Sequence, residues 1–423
     1  MPRPDSRPGG RIAVTGTGVV SPLGNDGAAF AEALFAGRSA IRARSLDLPG
    51  IDLPPVAVAP AEFDADAVVA PSRVPLDRGT AMALRAAGDA ARGAGLAGAA
   101  ACPPERLGVF WGSGMAGAAT FEATCRTVFA DRRRMRPTSV VTTMPNAAAA
   151  EMALLFGARG AALAYACACA SSAVAIGEAM RAIRAGWIDV AIAGGSESML
   201  TPGVLSGWQA MRVLAPVRIG ADDDNAAACR PFDARRSGFA LGEAAAAFVL
   251  ESAAHARARG AAAEAFLCGY ATNCDGMHIT HPDADGQARA MRAALADAGL
   301  EPGGIGYVNA HGTGTPAGDP AEAESLGRVF GARGVPVSSS KAQHGHLLGA
   351  GGAVELLVAV QALQSRCIPA TASTQALDPA FAIDLVMGAA RSSGSLRHAM
   401  SNSFAFGGTN AVLVASRADA GDD

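Results

Sequence analysis

"YACACASSAVAIGEAM", residues 165–180, sets two thiols two positions apart among small side chains, with no charge before Glu178. Upstream, residues 161–168 alternate small and larger apolar groups, the pattern of a buried strand. Downstream, Ser171 and Ser172 lead into a helix-compatible stretch to about Ala185, and Gly186 suits the position just past a helix end. "WIDVAIAGG" (187–195) reads as the next strand. The order strand, tight turn, helix, strand is that of an α/β layer. It puts Cys167 in a strand and Cys169 at the turn into a helix. A thiol at that turn faces unpaired N–H groups and the positive end of the helix dipole, which favour the thiolate. The same N–H groups suit an oxyanion. Cys169 is therefore the nucleophile candidate and Cys167 a packing residue. The competing expectation is that both are small, buried and inert.

The unit recurs along the chain. "RIAVTGTGVVSPLG" (11–24), "RLGVFWGSGMAG" (106–117), "DVAIAGGSES" (189–198) and "IGYVNAHGTGTPAGDPAEAES" (305–325) each run from an apolar strand into a Gly-rich turn. "VPVSSSKAQHGHLLGAGGAVELLVAVQAL" (335–363) is strand, loop and helix, and "HAMSNSFAFGGTNAVLVAS" (398–416) is two strands around a turn. Ala-rich helical stretches between them indicate α/β layers with buried sheets. At 423 residues the chain exceeds one simple core. A boundary near 255, between "AAFVLES" and "AHARARGA", divides it into 1–254 and 255–423, and recurrence on both sides suggests a duplicated half. The "GTG" at 16–18 lacks dinucleotide-loop spacing, and no P-loop pattern occurs.

Half of the residues are apolar and 17% charged, so a globular chain without long disorder is expected. A net charge of -3 argues against general nucleic-acid binding. The N-terminal "MPRPDSRPGG" has no signal-peptide core. Residues 160–177 are uncharged but mostly Ala, Gly, Ser and Cys, so no membrane span is expected. Eight cysteines without disulfide spacing suggest reduced thiols and a cytoplasmic protein. No second Cys pair at zinc spacing occurs, so no metal is expected.

Of seven histidines, His311 lies in "NAHGTGTPAGD", and His344 and His346 in "KAQHGHLLGAGG". Both are Gly-rich loops directly after apolar strands. Two such loops and a turn-borne Cys suggest a Cys-His-His site; surface histidines are the alternative.

"CASSAVAIG", "NAHGTGTPAGDPAEAE", "SSSKAQHGHLLGAGGAVE" and "NSFAFGGTN" together resemble the β-ketoacyl-acyl carrier protein synthases of the synthase I/II type. "RPFDARRSGFALGEAAAAFVLE" (230–251) and "IAVTGTGVVSPLG" resemble further blocks, and the likeness runs in order from about 11 to 415. It implies a thiolase-like α/β fold of two similar halves in a five-layered αβαβα arrangement. It implies a homodimer, or a heterodimer with a related synthase subunit. The implied reaction is a decarboxylating Claisen condensation with malonyl-acyl carrier protein in fatty acid chain elongation. Substrates ride on the phosphopantetheine arm of an acyl carrier protein, and no metal or redox cofactor is needed.

By position, Cys169 matches the family nucleophile, and the backbone N–H groups of Cys169 and Phe406 its oxyanion hole. His311 and His346 resemble the pair that hydrogen-bonds the enolate, with Lys341 and its acidic partner Glu355 behind them. Thr313 and Thr315 match pantetheine-binding hydroxyls, and Asp319 and Glu322 are expected to order their loop. "DGMHIT" resembles a loop at the arm's entrance, which adds Asp275, His278 and Thr280. Met115 and Trp208 align with acyl-pocket positions, and their bulk is expected to shorten or reshape the accepted chain. The carrier is acidic, so the basic run "DRRRMRP" offers Arg133, Arg134 and Arg136 for docking. Ala405 stands where Gly is usual and is expected to stiffen the "SFAFGG" gate; His344 is an extra imidazole that suggests altered substrate handling. A chain-length-factor-like subunit would lack the nucleophile. A degradative thiolase would carry a second catalytic Cys near the end, but the last Cys is Cys367. A secondary-metabolite ketosynthase, making polyketide or aryl polyene chains, would share every catalytic residue.

Overall fold

The apolar runs of the sequence become strands whose two faces are both covered. The computed structural model of the chain describes residues 10–419 apart from 47, 49 and 97–101. The N-terminal signal-peptide reading falls mainly on residues outside this range. In chain order the main strands are β1 (Ile12–Val20), β2 (Leu107–Gly112), β3 (Ala162–Tyr165), β4 (Val190–Glu197) and β5 (Ala244–Ser252). They continue with β6 (Ala265–Cys274), β7 (Tyr307–Asn309), β8 (Pro336–Ser338), β9 (Asp384–Leu385), β10 (His398–Phe404) and β11 (Thr409–Arg417). Along β5, Ala246, Phe248 and Leu250 face one core while Ala245, Ala247 and Val249 face another. This two-residue period with apolar groups on both sides is what a doubly covered strand requires.

The strand order is β9-β8-β7-β10-β11-β6-β1-β5-β4-β2-β3. Its two halves repeat one topology. In the first, β3, β2 and β4 run parallel, then β5 and β1 follow antiparallel. In the second, β8, β7 and β10 run parallel, then β11 and β6 follow antiparallel. The halves meet where Ile12, Ala13 and Val14 pair with Leu267, Phe266 and Ala265.

Helices complete five layers. Helix α1 (Arg78–Gly93) covers β1 and β5 from outside. Helix α2 (Ala118–Phe129) follows β2. Helix α3 (Ser171–Arg184) lies inside against β2 and β4, and α4 (Pro202–Ala210) follows β4. Helix α5 (Ala284–Ala298) covers β6 and β11 from outside, beside α6 (Gly318–Phe330). The short α7 (Lys341–His344) precedes α8 (Gly351–Ser365), which packs inside on β10, β11 and α3. The middle layer is thus α3 with α8. Ser172 Oγ accepts the Ala353 N–H at 2.9 Å, and a methyl group on Gly352 would stand 2.7 Å from Ala173 Cβ. Among the described residues, Leu348–Ser365 is the one helix long and apolar enough to cross a membrane, yet 83% of it is buried in this layer.

The "GTG" glycines lie within β1 under α1. A Cβ on Gly16 would sit 2.2 Å from Ala90 O, and one on Gly18 2.1 Å from Ala86 O. Their role is close strand–helix approach.

Two local expectations need correction. Residues 161–168 were expected to form a buried strand, but β3 spans four residues and is exposed. Among the described residues it pairs only with β2, and Leu163 is 45% exposed. Alternation alone does not distinguish a covered strand from an exposed edge strand. Cys167 lies just past this strand, in irregular backbone.

Gly177 on α3 leaves room for the ring of Tyr270, since a Cβ there would sit 2.2 Å from it. Gly177→Ala is expected to cost about 1–3 kcal/mol through overpacking, read as a lower urea midpoint. An unchanged midpoint would show that the α3–Tyr270 contact is looser than described.

Candidate active site

The nucleophile candidate sits on a sharp elbow. Ala168 adopts a left-handed φ of 47°, which non-glycine residues rarely hold. Ser171 clamps the turn: its Oγ accepts the Cys167 N–H at 2.9 Å and donates to Ala168 O at 2.7 Å. Helix α3 begins directly after, and Cys169 is buried at its N-terminal end.

Both histidine loops converge on this sulfur. His311 follows β7, and its loop is held by two buried carboxylates of α6. Glu322 accepts the His311 and Gly312 N–H groups at 2.8 and 2.6 Å; Asp319 accepts those of Gly314 and Phe232 at 3.0 and 2.6 Å. His346 follows α7, and its own N–H donates to Ala240 O at 2.6 Å. Its Nε2 lies 3.0 Å from Cys169 Sγ, and the two imidazoles stand 5.3 Å apart. The Phe406 backbone N–H, from the last Gly-rich turn, also faces the sulfur.

The proton positions follow from the partners. Leu348 N–H donates to His346 Nδ1 at 3.3 Å, so the ring proton sits on Nε2 and points at Sγ. Lys341 Nζ lies 3.4 Å from His311 Nδ1 and can only donate, so His311 also carries its proton on Nε2. Lys341 is fully buried and ion-paired with Glu355 of α8. Burial first, and the Lys341 charge second, hold both imidazoles well below their ordinary range, hence neutral. The site therefore presents two uncharged N–H donors rather than a general base.

Burial also pushes the Cys169 thiol up to about 12, against the pull of Lys341 and the Phe406 N–H. This reverses the expectation from the helix terminus alone. The resting group is a thiol, and desolvation outweighs the dipole. The Cys169, His311 and His346 donor atoms lie within 4.8 Å of one another, close enough for a metal ion as well as for a thioester carbonyl.

These groups open on a cavity of about 330 Å³, whose walls include Cys169, His311, His346, Trp208 and Phe406. Thr313 and Thr315 also line it, with their hydroxyls 2.9 Å apart, and Asp275 and Thr280 stand in its wall. His278 does not. It is exposed, and its Nδ1 accepts the Thr280 and His281 N–H groups, so it shapes the turn while His281 reaches the cavity. Met115 is also outside the wall, with its side chain 51% exposed. Arg133, Arg134 and Arg136 lie exposed in the loop after α2, away from the cavity wall.

His344 does not line the cavity. It is fully buried, its Nδ1–H donates to Gly345 O at 2.8 Å, and its Nε2 accepts from Ser340 Oγ at 2.9 Å. Burial holds it neutral, down at about 3. It braces the turn before His346, which corrects the expectation of altered substrate handling. The roles of Phe239, of the Leu348 N–H and of Ser171 as a clamp on the turn are not read from the sequence. Their motifs were legible, but backbone donors and ring contacts leave no compositional signal.

Residues 10–256 match the family model of the beta-ketoacyl synthase N-terminal domain, and residues 264–375 that of its C-terminal domain. The chain belongs to the beta-ketoacyl synthase family. Nodulation protein E of Rhizobium sp. (strain N33) is 38% identical over 414 residues, 96% of this chain and 98% of that protein. The 3-oxoacyl-(acyl-carrier-protein) synthase 2 of Staphylococcus aureus (strain COL) is 37% identical over 421 residues, 97% of this chain and 99% of that protein. Among solved structures, the AntDE:AntF complex of a type II PKS acyl-carrier protein with its ketosynthase bound to the hexaketide matches with a TM-score of 0.87. It is 27% identical, over 96% of this chain and 99% of the matched one. The synthase is thus an acyl-transferring condensing enzyme with a thiolase-like fold.

Two outcomes are expected. Iodoacetamide alkylation of Cys169, read by peptide mass, should rise about tenfold per pH unit from 7 to 10, because only the thiolate reacts. A plateau near pH 8 would contradict the raised thiol. His344→Leu should cost about 2 kcal/mol in urea unfolding, by removing the acceptor of the Ser340 O–H and the donor to the Gly345 carbonyl.

Proposed function

We propose that the synthase joins an acyl thioester to malonyl-acyl carrier protein by decarboxylating Claisen condensation, as in fatty acid chain elongation. The carrying observation is the pair of neutral Nε2–H donors facing one buried thiol. First, Cys169 sulfur attacks the acyl thioester carbonyl. The C–S bond to Cys169 forms, the bond to the carrier's pantetheine breaks, and the leaving thiolate takes up the proton Cys169 loses. The Cys169 and Phe406 N–H groups hold the tetrahedral oxyanion. Next, malonyl thioester enters. Its C–carboxylate bond breaks, CO2 leaves, and the electron pair becomes an enolate whose oxygen accepts from His311 and His346. The enolate carbon attacks the acyl-Cys carbonyl, the C–S bond breaks, and the released Cys169 thiolate takes a proton from water. The product is a 3-ketoacyl chain on the carrier.

Lys341 fixes the His311 tautomer in this scheme, and Glu355 balances its charge. That buried cation also works against a divalent metal among the three donors, so none takes part. Thr313 and Thr315 hold the pantetheine arm, with Asp275 and Thr280 at its entrance, helped by His278 through the turn it shapes. Asp319 and Glu322 keep the loop in place. The carrier protein docks on Arg133, Arg134 and Arg136. The division at 254/255 separates the half with the nucleophile from the half with the two histidines.

The chain works as a homodimer in the cytoplasm, with a related subunit as the alternative partner. Support comes from the uncovered edge of β3 and from exposed apolar side chains of α2, Ser139–Thr143 and Ala147–Phe156, among them Phe121, Val140 and Leu154. Met115 is half-exposed too, and it would reach an acyl pocket only when a partner covers it. A second reading is a ketosynthase of a secondary-metabolite pathway. Trp208 favours it, because its bulk narrows the space beside Cys169.

Intact mass spectrometry with acyl carrier proteins bearing C2 to C16 and aryl polyene chains tests the scheme. Wild type and Cys167→Ala should gain acyl mass, and Cys169→Ala should gain none; acylated Cys169→Ala would refute the nucleophile. The preferred chain separates the two pathways. His311→Ala should retain acylation while CO2 release from malonyl-acyl carrier protein falls about a hundredfold, the scale of one lost oxyanion donor.

A further inference from the structure

Four aromatic rings form a chain across the cavity. Phe406 and Trp208 stack with centroids 6.2 Å apart and planes at 25°. Trp208 meets Phe239 edge-on at 5.7 Å, and Phe239 meets His346 edge-on at 5.2 Å. The ends of this chain belong to the two donors that face the sulfur: the Phe406 N–H and the His346 Nε2–H. Trp208 is the link between them.

Its own mount is firm. Trp208 rides on α4, whose first N–H groups are held by Glu122 of α2: Gly203 N at 3.0 Å and Val204 N at 3.3 Å, with the Thr201 hydroxyl bonding the same carboxylate. The Phe406 loop is tied on either side of Phe406 by backbone bonds, Ala405 N–H to Thr409 O at 2.8 Å and Gly407 N–H to Ile279 O at 2.7 Å, while the Phe406 N–H is turned to the sulfur. Gly407 and Gly408 hold φ of 86° and 78°, and Gly407 is exposed. The Phe406 ring is only half-buried, so the Trp208 face is the side-chain contact that adds to these backbone ties in setting where Phe406 points.

We propose that Trp208 is a positioning residue of the oxyanion hole: its ring holds Phe406 so that the backbone N–H stays aimed at the thioester oxygen on Cys169. This rests on the acyl-transfer reading above and goes beyond an acyl-pocket wall, because it acts on the rate of bond formation and not only on chain length.

The test compares two reactions at the same sulfur. Acylation by acetyl- and hexanoyl-acyl carrier protein passes through an oxyanion; alkylation by iodoacetamide does not. Trp208→Leu should slow acylation by both chains about tenfold, the scale of one aromatic contact. Alkylation at the same pH should change less than about threefold, since Phe406 is only one of several influences on the thiol. Trp208→Phe, which keeps a ring on Phe406, should recover most of the lost rate, and it also serves if the leucine variant does not fold. Faster acylation by the longer chain would make Trp208 a pocket wall only and overturn the proposal. So would equal losses in both reactions, or no loss. Wild type that takes no acyl group would instead sink the condensing reading itself.

Discussion

The buried ammonium of Lys341 is the constraint around which the site is built. A charge at zero exposure must be paired, because an isolated one is far too costly in a dry interior. Glu355 supplies the pairing, and a remaining N–H of Lys341 is spent on His311 Nδ1. That contact fixes which nitrogen of His311 carries the proton, and the positive charge adds to burial in keeping both imidazoles neutral. The reach extends to Cys169, whose thiol Lys341 pulls down against a larger burial effect. Burial sets the proton state of all three reactive groups, and this single cation adds to it at the two imidazoles and opposes it at Cys169.

The repeated topology explains how residues far apart in sequence meet. Strand β3 of the first half and β8 of the second occupy equivalent places in their sheets. Cys169 follows the first and His346 follows the second. The helices after them, α3 and α8, are the two that face each other in the middle layer. Ser172 bonds Ala353 across this contact, so each helix start anchors the other. His311 and Phe406 arrive from the ends of β7 and β10 beside them. Two copies of one unit, packed through their inner helices, place a nucleophile and its donors across a shared axis.

Much of this was legible in the sequence. The stop at Gly186 fits its observed φ of 71°, and the strand–turn–helix around Cys169 was readable from apolar spacing. The histidine loops were found because Gly-rich turns after apolar strands are visible in composition. The misses have physical causes. The direction of the Cys169 shift depends on burial in three dimensions, which one helix terminus does not report. Exposure of β3 depends on its place at the edge of the sheet, which alternation of side chains does not report. His344 looked functional because it sits two residues from His346, yet its ring turns into the core and satisfies Ser340 and Gly345. Trp208 was singled out for bulk, whereas its contacts with Phe406 and Phe239 required coordinates.

The central claim is that His311 and His346 are neutral Nε2–H donors, held neutral by burial with the added charge of Lys341 and fixed in tautomer by Lys341 and the Leu348 N–H. Nitrogen NMR of protein labelled with 15N-histidine, followed from pH 5.5 to 8.5, tests it most directly. The account predicts two imidazoles that do not titrate over this range and that carry protons on Nε2 with unprotonated Nδ1. Titration of either ring near its ordinary range, or a proton found on Nδ1, would contradict it.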